Sequence, residues 1–217
     1  MRATLPDGPV ARFEARDTTE QFKPWDRDLH TSQIIMDRYS PELQQRIRDL
    51  AKYPMNKHEV CEVWTEILKF HFPISQIGRP GNNEYAIQAT PGTVFPFVQL
   101  SVATQLGTFE ATRFLFLHCR SSPRQAQGPP SRRCEDRLRL QLAEGLAAIP
   151  VHDGLEIHGA IPFGPHIRFY RLMANGIFGC CLWGARDSLH VLHDHYFIAE
   201  HLEEIKSDWL SVYVPGY

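Results

Sequence analysis

The chain has 217 residues, 43% of them apolar and 22% charged, with a formal net charge of −2 and a pI near 6.6. That length is enough to bury a sizeable single core, and the near-neutral charge supplies no global positive field to collect nucleic acid, whose phosphates normally dominate such affinity. No stretch approaches the roughly 20 apolar residues of a membrane span, and Met1–Asp7 lacks the apolar run of a secretory signal, so a cytoplasmic protein without membrane contact is expected.

Residues 1–39 are polar, carry Pro6, Pro9 and Pro24, and read as an N-terminal arm, mostly irregular, with a short helix near Ser32–Arg38. A single α/β domain is expected over 40–217. Ser40-Pro41-Glu42 is a helix start, Ser at the N-cap and Pro at the first position, and that helix should stop before Pro54. A second helix is expected over Lys57–Phe70. Val60, Val63, Trp64, Ile67 and Leu68 form its apolar stripe, while Glu59, Glu62 and Glu66 fall away from it.

Strands follow at Glu84–Ala89, Phe95–Thr104 and Thr108–His118, with turns at Pro91-Gly92 and Gly107. Residues 121–133 are an exposed loop rich in Arg, Pro and Ser. A third helix is expected over Cys134–Ile149. Three more strands are expected at Leu155–Ile161, Ile167–Leu172 and Ile177–Trp183, the last two joined by Asn175-Gly176, a strong hairpin signal. A final helix should cover Ser188–Leu210. The order α-α-β-β-β-α-β-β-β-α predicts a mixed sheet flanked by helices.

Five cysteines at unrelated spacings, with no C-x-x-C pair, read as reduced thiols. His58-Glu59-Val60-Cys61-Glu62 lacks the second His of a zinc motif. Gly78-Arg79-Pro80-Gly81 lacks the phosphate-loop pattern. The four tryptophans read as packing groups. On the expected last helix, His190, His193, Phe197 and His201 share one stripe. His190 and His193 form either a metal or acid–base pair, or a half-exposed polar face. His158 and His166 flank the turn at Pro162–Pro165. Arg168 and Tyr170 alternate on one strand and should face the same side.

Several segments resemble, in the same order, the PD-(D/E)XK nuclease-like domain of filamentous fungi, over residues 40–210. Cys61-Glu62-Val63-Trp64-Thr65 is similar to its Trp-bearing helix. Glu84-Tyr85-Ala86-Ile87 resembles its Asp-Phe-Ala strand, and Ser101-Val102-Ala103-Thr104-Gln105 its Ser-Ile-Glu-Thr-Lys strand. Leu138-Arg139-Leu140-Gln141-Leu142 resembles the Gln/Leu helix that follows. Asn175-Gly176 through Leu182-Trp183-Gly184 is similar to the late hairpin, and the last helix ends near Trp209 as expected. The resemblance implies a restriction-endonuclease-like mixed β-sheet core flanked by helices.

The family's chemistry holds Mg²⁺ between two carboxylates and uses a nearby Lys. Transferred to this chain, the first acid is Glu84, the second position is Ala103 and the Lys position is Gln105. The resemblance therefore implies a nuclease frame without nuclease chemistry, holding no metal and no cofactor. The expected function is a metal-independent small-molecule enzyme of cyclase or isomerase type in fungal secondary metabolism. Glu84 would be the acid or base, with Gln105, His158, His166 and Tyr170 as hydrogen-bonding catalytic partners. Arg168, Glu62 and Gln141 would contact substrate. The alternatives are a non-enzymatic binding protein and an active nuclease with a carboxylate supplied by Glu110, Glu59 or Glu62.

Overall fold

The structure, a computed structural model, describes residues 11–14, 34–73, 84–90, 97–105, 112–121, 130–149, 156–183 and 186–213. In chain order these form β1 (Ala11–Glu14), α1 (Pro41–Lys52), α2 (Lys57–His71), β2 (Glu84–Thr90), β3 (Phe97–Gln105) and β4 (Thr112–Arg120). They continue with α3 (Arg132–Ala147), β5 (Glu156–Phe163), β6 (His166–Met173), β7 (Phe178–Leu182), β8 (Leu189–His190) and α4 (His195–Tyr213). The eight strands make one mixed sheet in the order β1-β7-β6-β5-β4-β3-β2, with β8 paired to β6.

Local chemistry explains most of these boundaries. Ser40 accepts from the Leu43 N–H, Pro41 opens α1, and the helix ends at Lys52, before Pro54. Asn56 and Glu59 form a capping box that starts α2. Glu59 is thereby held at the helix terminus, its carboxylate on the Asn56 N–H. Gly176 supplies a φ of 83° in the β6–β7 hairpin, where only glycine is unstrained. Gly164, at φ 61°, does the same between β5 and β6.

Three expectations change. The N-terminal arm contributes β1, which lies parallel to β7 with Ala11 opposite Gly179, while the short helix expected near Ser32–Arg38 is present as a helical turn at 34–36. Met36 and Tyr39 are buried beside that turn. The third helix starts at Arg132, so Arg132 and Arg133 leave the expected loop, whose residues 122–129 lie outside the described residues. The last helix starts at His195, not Ser188. Leu189 and His190 pair with β6, and the Asp194 carboxylate takes the His190 N–H at 2.8 Å. Ile198 N–H donates to the Asp194 carbonyl, so the helical ladder begins there. His190 and His193 are therefore not on the helical stripe of His201.

Helices cover both faces of the sheet. On one face α3 packs close: a Cβ on Gly159 would lie 2.9 Å from Leu138, and one on Gly145 would lie 2.7 Å from Ile157. On the other face lie α2 and α4. Cys61 of α2 and Cys119 of β4 are both buried in the core. Phe114 stacks on Trp209 of α4, ring centroids 4.9 Å apart. Phe114 is the extra residue of a β-bulge where β4 shifts register against β3. One cluster of buried side chains, from Met36 to Trp209, runs through the layers. Nearly all of β5 is buried along its length, as expected for a central strand covered on both sides.

Gly159 sits where α3 meets that strand. Gly159→Ala should cost about 1–3 kcal/mol through overpacking against Leu138, read as a lower midpoint in urea unfolding. An unchanged midpoint would show that α3 moves away freely.

Candidate functional site

The expected site residues fall into separate places. Glu84 and Gln105 are direct cross-strand partners, and Ala103 lies opposite Ala86. The strand pairing therefore sets these backbone positions side by side. Their side chains, and Glu110, lie outside the described residues. Tyr85 packs its ring on Phe72 and Phe114, on the α2 face. Strand β2 is four places from β6, about 19 Å at the usual strand spacing. Arg168 and Tyr170 are carried by β6, and His158 by β5, three places from β2. Glu62 lies on exposed helix surface, 67% exposed and paired with Arg46 at 2.7 Å, and does not reach the sheet.

Arg168 and Tyr170 do face the same side, beneath α3, and Glu135 joins them. The Tyr170 hydroxyl donates to Glu135 Oε1 at 2.7 Å. Arg168 bridges Glu135 and Asp187, its Nη2 2.6 Å from Asp187 Oδ2. Burial, then the bond to Glu135, drives the Tyr170 phenol well above its usual range, so it stays protonated. The network ties α3 to β6 and to residue 187, with its polar atoms engaged internally. Gln141 of α3 is also a core group: its Oε1 meets Nε2 of buried His118. Burial depresses the His118 pKa to about 4.

His166 stands at the start of β6, 5.1 Å from the His190 ring, which lies 4.4 Å from His193. His190 Nδ1 accepts the backbone N–H groups of Leu192 and His193. Asp194 is held by Arg186 at 2.6 Å. Burial and then its two histidine neighbours push the His190 pKa down to about 4. The ring acts as a neutral cap on the turn. Among the described residues, no three His, Cys, Asp or Glu side chains converge as a metal-ligand set.

The remaining expected residue, His158, is on the α4 face and meets partners that the sequence did not announce. Its ring is 6.2 Å from the His201 ring. His201 is packed edge-on against Phe169 and Trp183, at 4.7 and 5.2 Å. The Nδ1 of His201 bonds Glu204 Oε2 at 3.0 Å. A carboxylate only accepts, so Nδ1 carries a proton and Nε2 is the ring's other nitrogen, turned away from Glu204. That Nε2 is buried with no hydrogen-bond partner, as is Nδ1 of His158. Arg171, opposite His158 on β6, is paired with Glu156 at 3.3 Å. Burial first, then His201, lowers the His158 pKa to about 3. The arrangement is a carboxylate-oriented histidine beside a second histidine held neutral. Buried polar atoms are normally satisfied, so two facing orphans mark the place where an outside group would bond. His201 and Glu204 stand at helical i, i+3 spacing, visible in sequence, but only folding brings His158 across to them.

A second buried chain lies nearby. His195 Nδ1 donates to the Val191 carbonyl at 3.0 Å, leaving its Nε2 to accept from the Tyr39 hydroxyl at 2.8 Å. The Tyr39 oxygen also meets His71 Nε2 at 3.1 Å, and His71 Nδ1 donates to Glu203 at 3.0 Å. Lys206 closes the set onto Glu203 and the His71 carbonyl. Every group here is used, and the chain pins the segment before α1 to α2 and α4.

Comparison with protein-family models, with curated proteins and with solved structures returns no match to this chain.

Two predictions follow from these networks. His118, His158 and His195 are held neutral, with pKa values depressed to about 4, about 3 and about 4, in each case mainly by burial. Unfolded, each takes a proton near pH 6.5. The unfolded state thus binds more protons below that value, and stability falls as pH drops from about 6.5 towards about 4, by up to about 4 kcal/mol per pH unit for the three together. Urea midpoints measured between pH 7.5 and about 5 should be flat above pH 6.5 and fall steeply below it. A midpoint flat throughout would show that the rings take up protons while folded. Tyr39→Phe strips the donor from buried His195 Nε2, and thermal melts should show a loss of about 1–3 kcal/mol. Wild-type stability would mean that the hydroxyl is dispensable.

Proposed function

We propose that the chain is a metal-independent acid–base enzyme of cyclase or isomerase type that acts on a small molecule in a biosynthetic pathway, of the kind found in fungal secondary metabolism. On this reading its frame is restriction-endonuclease-like, with nuclease chemistry lost. Two features support the ancestry: the order of two helices, a three-strand meander, a helix and further strands, and the cross-strand pairing of Glu84 with Gln105. Nuclease chemistry would need a carboxylate at 103, and Ala103 has none.

The acid–base reading rests on one observation. Two facing buried histidines each keep a ring nitrogen without a partner, and Glu204 fixes the tautomer of one of them. His201 Nε2 would take a proton from an acidified C–H or O–H of the substrate. Glu204 would stabilise the resulting imidazolium, and the same nitrogen would return the proton at another position. Neutral His158 would bond the substrate without adding charge to the buried site. Phe169 and Trp183, packed around His201, favour a flat or apolar substrate.

The test is genetic and chemical. Deleting the gene in its host should change the metabolite profile, with a precursor accumulating. Complementation with Glu84→Gln should restore the profile, because β2 lies three strands away from β5, which carries His158. Complementation with His201→Gln should lower product flux about 10²–10⁴-fold, the usual share of a proton-transfer group. Circular dichroism of the purified variant checks that it folds. An unchanged profile on deletion, or full rescue by folded His201→Gln, overturns the reading.

A further inference from the structure

His158 shares its side of the sheet with a charged pair. It is directly opposite Arg171 of β6, and side chains at directly opposed positions project from the same face. Alternation adds Glu156, two residues before His158, and Phe169, two residues before Arg171. Phe169 packs on the His201 ring at 4.7 Å, so this is the face that α4 covers. On its other flank Arg171 is opposite Gly179 of β7, which contributes no side chain. The side chains gathered around the two histidines therefore include a guanidinium, Arg171, and two carboxylates, Glu156 and Glu204.

Both contacts of Arg171 to Glu156 run through Nη1, at 3.5 and 3.3 Å, longer than the roughly 2.7–2.9 Å of a tight charge-assisted bond. The two side chains are 24% and 26% exposed, while His158 and His201 are buried, so this end of the patch reaches solvent. Proton transfer to a buried histidine creates charge at both ends. The base becomes positive, and Glu204 on His201 Nδ1 offsets that charge. The substrate becomes negative, and a fixed cation aimed at that charge is the usual remedy in a low-dielectric site. With Glu156 and Glu204 in the same group, the patch does not favour a substrate that arrives as an anion. It suits a neutral one whose negative charge appears only as the proton leaves.

We propose that Arg171 is a further catalytic residue, the group that holds the developing oxyanion, and that the substrate is a neutral, enolisable carbonyl compound. The inference rests on the acid–base reading of His201. His201 Nε2 takes a proton from the carbon next to the carbonyl. The C–H electron pair forms a C=C bond, the C=O π pair moves onto oxygen, and the Arg171 guanidinium donates N–H bonds to that oxygen. The imidazolium then returns the proton, to the same carbon or, in a conjugated enolate, to the carbon two bonds further on, and the carbonyl re-forms. The sequence is redox-neutral and consumes no co-reactant. Glu156 positions the guanidinium throughout.

Hydrogen exchange with a flat, neutral, enolisable ketone, 2-tetralone, tests this. The full-length protein is incubated with the ketone in heavy water, and loss of the α-proton signals is followed by NMR against a blank of imidazole at equal concentration. The wild type should exceed the blank. Arg171→Gln should lower kcat for exchange about 10²–10³-fold, the share of one oxyanion donor. KM should change little, because the charge that Arg171 meets is absent from the bound ketone. Arg171→Lys should recover part of the rate. Where Arg171→Gln alone does not fold, the double variant with Glu156→Gln keeps the pair neutral and should show the same loss. Full kcat in folded Arg171→Gln, with His201→Gln inactive, overturns the role of Arg171 and leaves the acid–base reading standing. A wild type no faster than the blank overturns the carbonyl assignment, while the metabolite profile on deletion still decides the acid–base reading.

Discussion

Strands β5 and β6 run through the middle of the sheet with helices above and below, so a polar side chain on them must find its partner inside the protein. Leaving such a group unpaired costs about 1–3 kcal/mol, more for a charge. The structure meets this demand from the helices and neighbouring strands. Glu135 of α3 answers Tyr170 and Arg168, Gln141 answers His118 on β4, and Glu156 answers Arg171. His158 breaks the pattern, because the ring facing it from α4 has an unpartnered nitrogen of its own. Two unpartnered nitrogens on neighbouring buried rings distinguish that spot from the paired networks.

Helix α4 carries much of the organisation. Ile198, Leu202 and Ile205 fill the core, and Trp209 closes it against Phe114. The same helix supplies His195 and Glu203 to the chain through Tyr39 and His71, and His201 and Glu204 to the candidate site. A helix that is apolar on more than one side must be covered on more than one side. The polar residues it buries are then confined to paired networks or to a site. The His71–Tyr39–His195 chain is of the first kind and the His158–His201 pair of the second.

Much of the fold was legible in the sequence because its signals are local. The Ser40-Pro41 start, the apolar stripe of α2, the Asn175-Gly176 hairpin and the alternation at Arg168 and Tyr170 each involve residues a few positions apart, and each is present in the structure. β1 was not legible: Ala11–Glu14 is too short to show a period, and its partner β7 lies at the other end of the chain. The break at 189–194 was hidden because His190, His193 and Leu192 continue a helical pattern in composition. The pairing of Leu189 and His190 with β6, together with Asp194, overrides it.

The candidate site was legible only in its parts. His158, Tyr170, Arg168 and Gln141 could be picked out as polar residues on apolar elements. Period-two alternation assigned Arg168 and Tyr170 to one face, but which helix covers that face depends on the path of the chain. The sequence by itself determined element types and the hairpin, since these depend on side-chain chemistry and on neighbours within a turn. Only the tertiary structure decided that His158 meets His201 while Tyr170 meets Glu135. Adjacent strands and opposing helices bring together residues far apart in sequence, and packing selects the partners.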